Sequence, residues 1–174
     1  MTEYLNGVKT TVVKGWELVT AETLAADAQS FTLVSGLDSD IYDYEVEVVA
    51  KKGAGAAGAI RIELNGDTTI ANYDTQALYA NAAAVTAARN DRNDLSYLDT
   101  QAVFSARVTQ DPDGYGRASP VGQIRTGANL RMDFRFVSTA SDMGAAISSL
   151  RIVGENANLL GSGSRMSLYR RRIS

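Results

Sequence analysis

Residues 59–67 alternate between apolar and charged side chains and then reach a turn. The apolar members share one face and the charged members the other: Ile60, Ile62 and Leu64 against Arg61 and Glu63. This period of two is typical of a β-strand with one buried face, because successive side chains leave a strand on opposite sides. Asn65-Gly66 predicts a tight turn, since both residues tolerate positive φ. We expect residues 68–73 to pair back across that turn.

The same alternation returns in other parts of the chain. In residues 42–48, Tyr and Val alternate with Asp and Glu; in residues 130–136, Leu, Met and Phe alternate with Arg and Asp. Further short apolar runs, including residues 104–109, 147–153 and 165–169, lie between turn residues. About eight or nine such strands predict an all-β fold: an antiparallel β-sandwich with jelly-roll-like connections.

The length of 174 residues predicts a single domain. Residues 1–11 show no sustained period, so we interpret them as an N-terminal arm, either frayed or ordered against a neighbouring subunit. Residues 12–174 then form the β-sandwich domain. Residues 75–98 are ambiguous, because their spacing suits a helix while their Asn, Asp and Thr content suits a loop. We predict a long loop there, with at most a short helix.

Composition restricts the possible function. The chain has no cysteine and no histidine, so disulfides, thiolate metal sites and a Ser-His-Asp triad are excluded. A net charge of −3 provides no overall basic field for nucleic acid. No apolar run is long enough for a membrane helix, and the first thirty residues lack the apolar region of a signal peptide. We expect a non-enzymatic protein without cofactor, metal or membrane partner, made in the cytoplasm.

Three motifs allow a chemical hypothesis, and each has a simpler structural explanation. The carboxylates of Asp43, Glu45 and Glu47 would lie roughly 7 Å apart along one strand face, a spacing a glycosidase could use. A solvated sheet face is the favoured interpretation. The segments 111–114 and 65–67 offer oxygen ligands for Ca²⁺, but Asp-Gly and Asn-Gly turns need no metal. The glycine-rich segment 161–165 lacks the lysine of a phosphate-binding loop and predicts a turn.

Six residues are candidate contacts with a shell or a second subunit. Trp16 is the single tryptophan, which predicts a place in the core or in a subunit interface. The run of three arginines predicts a solvated tail; the alternatives are pairing with carboxylates on a partner subunit or protein shell, or contact with nucleic acid. The full candidate set is Tyr4, Leu5, Trp16, Arg170, Arg171 and Arg172.

Three blocks of the sequence resemble small virion proteins of tailed bacteriophages. The first runs from Trp16-Glu17-Leu18-Val19 to Ser35-Gly36-Leu37-Asp38, and the second from Ile60 to Asp67 and on to Asn72-Tyr73. The third joins Ile147-Ser148-Ser149-Leu150-Arg151-Ile152 to the closing segment 161–170. Together the blocks extend the resemblance over residues 14–172.

The resemblance implies a jelly-roll β-sandwich on the outer surface of a phage head, assembled in the host cytoplasm. Such proteins include head decoration, or cement, proteins that bind the major capsid protein, often as trimers. The resemblance thus implies a homo-oligomer with a shell protein as partner, without direct contact to nucleic acid. The alternative is a receptor- or carbohydrate-binding module of a tail or head fibre, for which the exposed aromatic candidates are Tyr73, Tyr79, Tyr97 and Tyr115.

Overall fold

The computed structural model describes residues 2–5, 8–11, 15–81, 84–127 and 129–173. In these residues the regular structure consists of fourteen β-strands and a single 3₁₀ turn at Ile70–Asn72. The strands are β1 (Thr2–Leu5), β2 (Val8–Thr11), β3 (Glu17–Thr23), β4 (Val34–Ser35), β5 (Tyr42–Lys51), β6 (Gly58–Leu64), β7 (Tyr73–Asn81), β8 (Ala84–Asn90), β9 (Asp94–Leu98), β10 (Gln101–Gln110), β11 (Gly116–Thr126), β12 (Asn129–Thr139), β13 (Ser149–Gly154) and β14 (Arg165–Arg172).

Two antiparallel sheets form a sandwich. The larger sheet has eight strands in the order β3-β14-β5-β10-β11-β12-β7-β8, and the smaller has four in the order β4-β13-β6-β9. We call the side of the larger sheet that faces the smaller sheet its inner face and the opposite side its outer face. The predicted all-β antiparallel sandwich is confirmed, whereas the finer assignment as a jelly roll stays a prediction.

The core lies between the two sheets and is built from alternating apolar residues. On β5 the inner-facing side chains Tyr44, Val46 and Val48 are buried, as the alternation in residues 42–48 predicts. On β6 the prediction of a single buried face is wrong: all seven residues are buried, because Arg61 and Glu63 form ion pairs on the other face. Neighbouring strands supply matching positions, because strands in register place their inward residues side by side. The largest fully buried apolar side chains elsewhere are Phe31, Ile60, Ile62, Leu95, Leu98, Ile124, Ile147, Leu150, Ile152 and Leu159.

The turn at Asn65-Gly66 forms, but it does not join a hairpin. Both residues have positive φ, 51° and 74°, as predicted. The expectation that residues 68–73 pair back is wrong, since β6 pairs with β13 and β9 and the chain crosses instead to the larger sheet. The Asn65 side chain explains the difference: its Oδ1 accepts hydrogen bonds from the Ser148 and Ser149 amides at 2.7 and 3.2 Å. The turn therefore fixes the start of β13.

The predicted long loop at residues 75–98 is wrong, because the segment contains most of β7 and all of β8 and β9. β7 and β8 pair antiparallel with Leu78 opposite Ala87, and β8 is the edge of the larger sheet. Nearly all of the β8 side chains are exposed. An edge strand without a buried face shows no alternation. The prediction therefore rested on the Asn, Asp and Thr content of the segment, which is typical of a loop.

Fourteen strands exceed the predicted eight or nine, partly because the N-terminal arm contains two of them. β1 and β2 pair with each other, and in the described residues they join neither large sheet. The boundary between an arm at residues 1–11 and a domain at 12–174 stays a prediction.

Candidate functional site

The outer face of the larger sheet carries apolar side chains because β12 is oriented opposite to the usual rule. Asp133 and Arg135 on its inner face are only 3% and 9% exposed. Four apolar residues of the same strand, from Leu130 to Phe136, point outward, and Phe136 is 64% exposed, whereas Val137 points inward and is buried. An alternating strand normally buries its apolar side, so the inner charges require compensation by other buried groups.

A network of ion pairs compensates the charges under β12. The Arg135 guanidinium contacts the Asp133 carboxylate at 3.0 Å and lies 3.8 Å from an oxygen of Asp94 on β9. Asp94 also accepts a hydrogen bond from Arg61 Nε at 3.1 Å. Arg61 Nη2 reaches Glu155 Oε1 at 2.5 Å, so the buried charges are paired across both sheets. Shifting β12 by one residue would break this network, which therefore fixes the strand register.

Glu155 closes the network near the end of the smaller sheet. Burial raises the pKa of its carboxyl, but the Ala59 amide and the positive charges of Arg61 and Arg92 lower that pKa by more. The pKa therefore lies below its ordinary value, and the carboxylate is charged at neutral pH. Arg92 donates to the same carboxylate at 3.2 Å. The group thus acts as a fixed anion that holds two arginines.

The apolar positions of β12 continue onto the neighbouring strands, because register places them in rows. One row joins Val121 of β11, Phe134 of β12 and Leu78 of β7. The next row brings Met132 of β12 beside Ala80 of β7, which lies opposite Val85 of β8. We define the apolar face as the outward apolar side chains of β10, β11, β12, β7 and β8, which lie among polar ones such as Gln123 and Arg125. Its members are Leu78, Ala80, Val85, Ala87, Val103, Val121, Leu130, Met132, Phe134 and Phe136.

Two shallow grooves lie on this apolar face. The first has a volume of about 620 Å³, with Leu78, Phe134 and Phe136 in its lining and Gln76 and Arg89 at its border. The second has a volume of about 510 Å³, and its lining includes Glu47, Val49, Val103, Val121 and Met132. The surface is therefore corrugated, and it could interlock with a complementary protein surface.

Of the six predicted contact residues, the structure brings together Trp16 and Arg171 at one corner of the larger sheet. The Arg171 guanidinium lies 4.9 Å from the centre of the Trp16 ring, within the range of a cation–π contact. The same guanidinium lies 3.0 Å from the Asp43 carboxylate, which Arg107 contacts at 2.5 Å. We call Trp16 and Arg170–Arg172 the corner cluster.

The arginines of the corner cluster belong to β14, so the expected solvated tail is wrong for Arg170 and Arg171. Arg170 pairs with Glu17 at 2.9 Å and lies 4.8 Å from the centre of the Tyr42 ring. Hydrogen bonding to Glu17 raises the pKa of Arg170, which keeps that side chain charged. Arg172 is the most exposed of the three. Tyr4 and Leu5 lie in β1, and their side chains are outside the described residues.

The four tyrosines proposed as sugar contacts do not form one platform. Tyr73 is 1% exposed, and its hydroxyl accepts a hydrogen bond from the Leu64 amide and donates to the Asp67 carbonyl. Burial raises the pKa of Tyr73 to about 12. Tyr79 lies beneath the Arg131 guanidinium at 4.8 Å, and Tyr97 and Tyr115 are partly exposed. Tyr73 is therefore wrong as an exposed candidate.

The remaining motifs have structural partners. Asp43 is bound by two arginines, and Glu47 accepts a hydrogen bond from the Tyr169 hydroxyl at 3.3 Å. Asp111 caps its own turn by accepting from the Asp113 and Tyr115 amides, and the Tyr115 bond lowers the pKa of its carboxyl. Within the described residues, no group of three or more possible metal ligands is close enough to hold an ion.

Sequence reasoning identified the corner cluster and missed the apolar face. The missing signal was the orientation of β12, which alternation alone does not contain. The charges that hold Asp133 and Arg135 inside come from other segments, such as Asp94 and Arg61. The available clue was that these acidic and basic residues can pair with Asp133 and Arg135, so that the charged side of β12 can be buried.

No protein family, curated protein or solved structure matched the sequence. In the part of the chain that the structure describes, no helix has the length and apolar character needed to cross a membrane.

Proposed function

We propose that this chain is a structural protein of a bacteriophage virion, a decoration protein that binds the outer surface of the head as a homo-oligomer. The observation that carries the proposal is the outer face of the larger sheet, where exposed apolar side chains of β12 continue among polar ones onto four neighbouring strands. Large exposed apolar surfaces mark sites of contact with other proteins. The phage head as the place of assembly comes from the resemblance of the three sequence blocks.

The corner cluster supplies the contact with the shell in this proposal. Trp16 presents a half-buried ring beside the Arg171 guanidinium, and Arg172, which follows on β14 and leaves the strand on the opposite face, is exposed. Tryptophan and arginine are the side chains that contribute most to protein interfaces, because they combine apolar area with directed polar contacts. Carboxylates on the major capsid protein are the partners that this chemistry fits.

The test is co-sedimentation of the purified chain with undecorated heads built from the major capsid protein encoded in the same genome. We expect wild-type chain to sediment with the heads. The triple variant Trp16→Ala/Arg171→Ala/Arg172→Ala should bind at least about tenfold more weakly. Arg165→Ala is the matched control and should bind normally, because Arg165 is exposed at the other end of β14, away from the corner cluster and outside the apolar face. Wild-type chain that stays in the supernatant would reject head decoration.

A glycan-binding module is the second candidate, and the groove beside β12 is the observation that favours it. Its lining contains Phe134 and Phe136, and Gln76 and Arg89 could hydrogen-bond a sugar at the border. A glycan array probed with wild-type chain and with Phe134→Ala tests it. Binding that the substitution abolishes would support the module, and an array without any bound glycan would exclude it for the sugars tested.

A further inference from the structure

We infer that the apolar face is the surface through which copies of this chain associate with each other. The inference rests on the proposed function only in taking the chain as a protein that works by assembly. It goes further by assigning the subunit contact to five named strands and by choosing a second copy as the occupant. Its test uses the purified chain without heads, so its failure and that of head decoration are separate results.

The orientation of β12 is specified by the sequence and not merely tolerated. A one-residue slip would bury Phe134 and Phe136 and expose Asp133 and Arg135. The chain instead places the charged pair inside, where Asp94 and Arg61 complete the network. Aromatic side chains that a stable buried network holds outward are available for contact with another chain.

The size of the apolar face suits a complex between copies. The outer face of these five strands, with the polar side chains between the apolar ones included, is roughly 550 Å² over about seven residues of each strand at the usual strand spacing and rise. Two copies that cover each other's face would bury about 1,100 Å², above the roughly 1,000 Å² that a specific interface needs. The grooves on the face would add area when side chains of the partner fill them.

Charges at the two sides of the face are complementary, which points to a second copy as the occupant. Arg89 on β8 lies at one side, with its side chain 69% exposed and its guanidinium 3.7 Å from the Asp74 carboxylate of the same chain. Glu45 and Glu47 on β5 lie at the other side. When two copies face each other with opposite strand order, Arg89 of one chain lies beside Glu45 and Glu47 of the other. The same contact forms when copies follow each other around a rotation axis.

The free edge of β8 is continuous with this surface. β8 pairs only with β7 among the described strands, and five of its residues are Ala, Val or Thr without charge. With Arg89 as its only charged residue, this edge strand leaves backbone amides and carbonyls free to pair with another chain. Covering the apolar face with a second copy also protects that edge.

The first experiment measures the mass of the purified chain by light scattering over a range of concentrations. Wild-type chain should be a dimer or trimer, and Phe136→Asp and Val121→Asp should raise the dissociation constant on the order of tenfold or more. Leu33→Asp is the matched control: it is 47% exposed and lies outside the larger sheet, so it should keep the wild-type mass. Circular dichroism confirms that each variant is folded.

Two results would overturn the inference. Wild-type chain that stays monomeric at every concentration would show that another occupant, such as the shell or a glycan, covers the face. An oligomer that survives both Phe136→Asp and Val121→Asp would place the subunit contact elsewhere. A charge exchange then tests the borders: Glu45→Arg and Arg89→Glu should each weaken association, and the double variant should restore it. If the double variant does not regain association, the contact between Arg89 of one copy and Glu45 of the other is wrong.

Discussion

β5 and β12 have the same kind of sequence and opposite orientations. Both alternate between apolar and charged residues, and both lie inside the larger sheet with neighbours on each side. β5 buries Val46 and Val48 and leaves Glu47 exposed, whereas β12 buries Asp133 and Arg135 and exposes Phe136. The buried side of β5 meets apolar residues of the smaller sheet. The buried side of β12 meets the charged residues near Asp94.

The difference teaches that alternation defines two faces without telling which one is covered by the rest of the chain. Desolvation normally settles the question, because burying unpaired charge costs more than exposing a phenylalanine. Under β12 the charges are paired, so this cost falls. What decides is whether partners for the charges exist in the fold. An apolar outer face follows, and protein association is the usual reason for one.

The largest effect should come from placing a charge under β5. Val46→Asp would bury a carboxylate at a position that is 0% exposed, where the adjacent inward side chains are apolar. We expect a loss of roughly 4–5 kcal/mol in the free energy of unfolding, or no folded protein. Urea unfolding measures it. Val121→Asp on the outer face is the control and should be nearly neutral in the monomer. Equal losses would contradict the comparison.

Removing one buried charge under β12 should cost somewhat less. Arg135→Met leaves Asp133 buried without its arginine, so we expect a loss of roughly 3 kcal/mol. A second change, Asp133→Leu, should recover most of it, since the uncompensated carboxylate is then gone. Arg107→Met is the matched control: Asp43 keeps Arg171, and the loss should stay below about 1 kcal/mol. Calorimetric and urea unfolding of all four chains would measure these differences, and a harmless Arg135→Met would show that the network is not needed.

Acid should weaken the β12 side of the molecule. The pKa of Glu155 is lower in the folded chain than its ordinary value, so the carboxylate stabilises the fold above that value. This stabilisation is lost as the pH falls through the ordinary value and on towards the folded pKa. Glu155→Gln should therefore be less stable at neutral pH and show a smaller loss of stability in acid. The measurement is the free energy of unfolding against pH, and parallel curves for the two chains would rule out this role.

The smallest effect on monomer stability should come from the exposed aromatic of β12. Phe136→Ala removes a ring that is 64% exposed, so the free energy of unfolding should change by less than about 0.5 kcal/mol. Phe104→Ala, at 4% exposure on the inner face of β10, should cost roughly 3–5 kcal/mol. Both are measured by urea unfolding at a concentration where the chain is monomeric. A large loss from Phe136→Ala would mean that its ring packs within its own chain.

Much of the fold could be predicted from local pattern, because β5, β6, β12 and the turn at residues 111–114 carry their own signals. β8 could not be predicted, because both of its faces are exposed and its sequence therefore does not alternate between apolar and polar residues. β11 was also missed, because Pro120 and Gly122 interrupt its alternation. These failures share one cause, which is that the signal of a strand is the contrast between its faces.

The candidate site was predictable only where the signal is a single unusual residue type. Trp16 and the arginines stand out in the sequence, and the structure places Trp16 against Arg171. The apolar face depends instead on which side of β12 is buried. That choice is made by contacts between residues far apart in the chain, such as Arg135 with Asp94, and no local window contains both.

The position of β14 in the larger sheet has a consequence for synthesis. β14 lies between β3 and β5 and pairs with both of them. Its residues 165–172 are synthesised after the other thirteen described strands, so β3 has no place in the sheet until β14 has been translated. Pairing over such a sequence separation is slow to form. Nascent chains that stop short of β14 therefore leave one side of β5 open to aggregation.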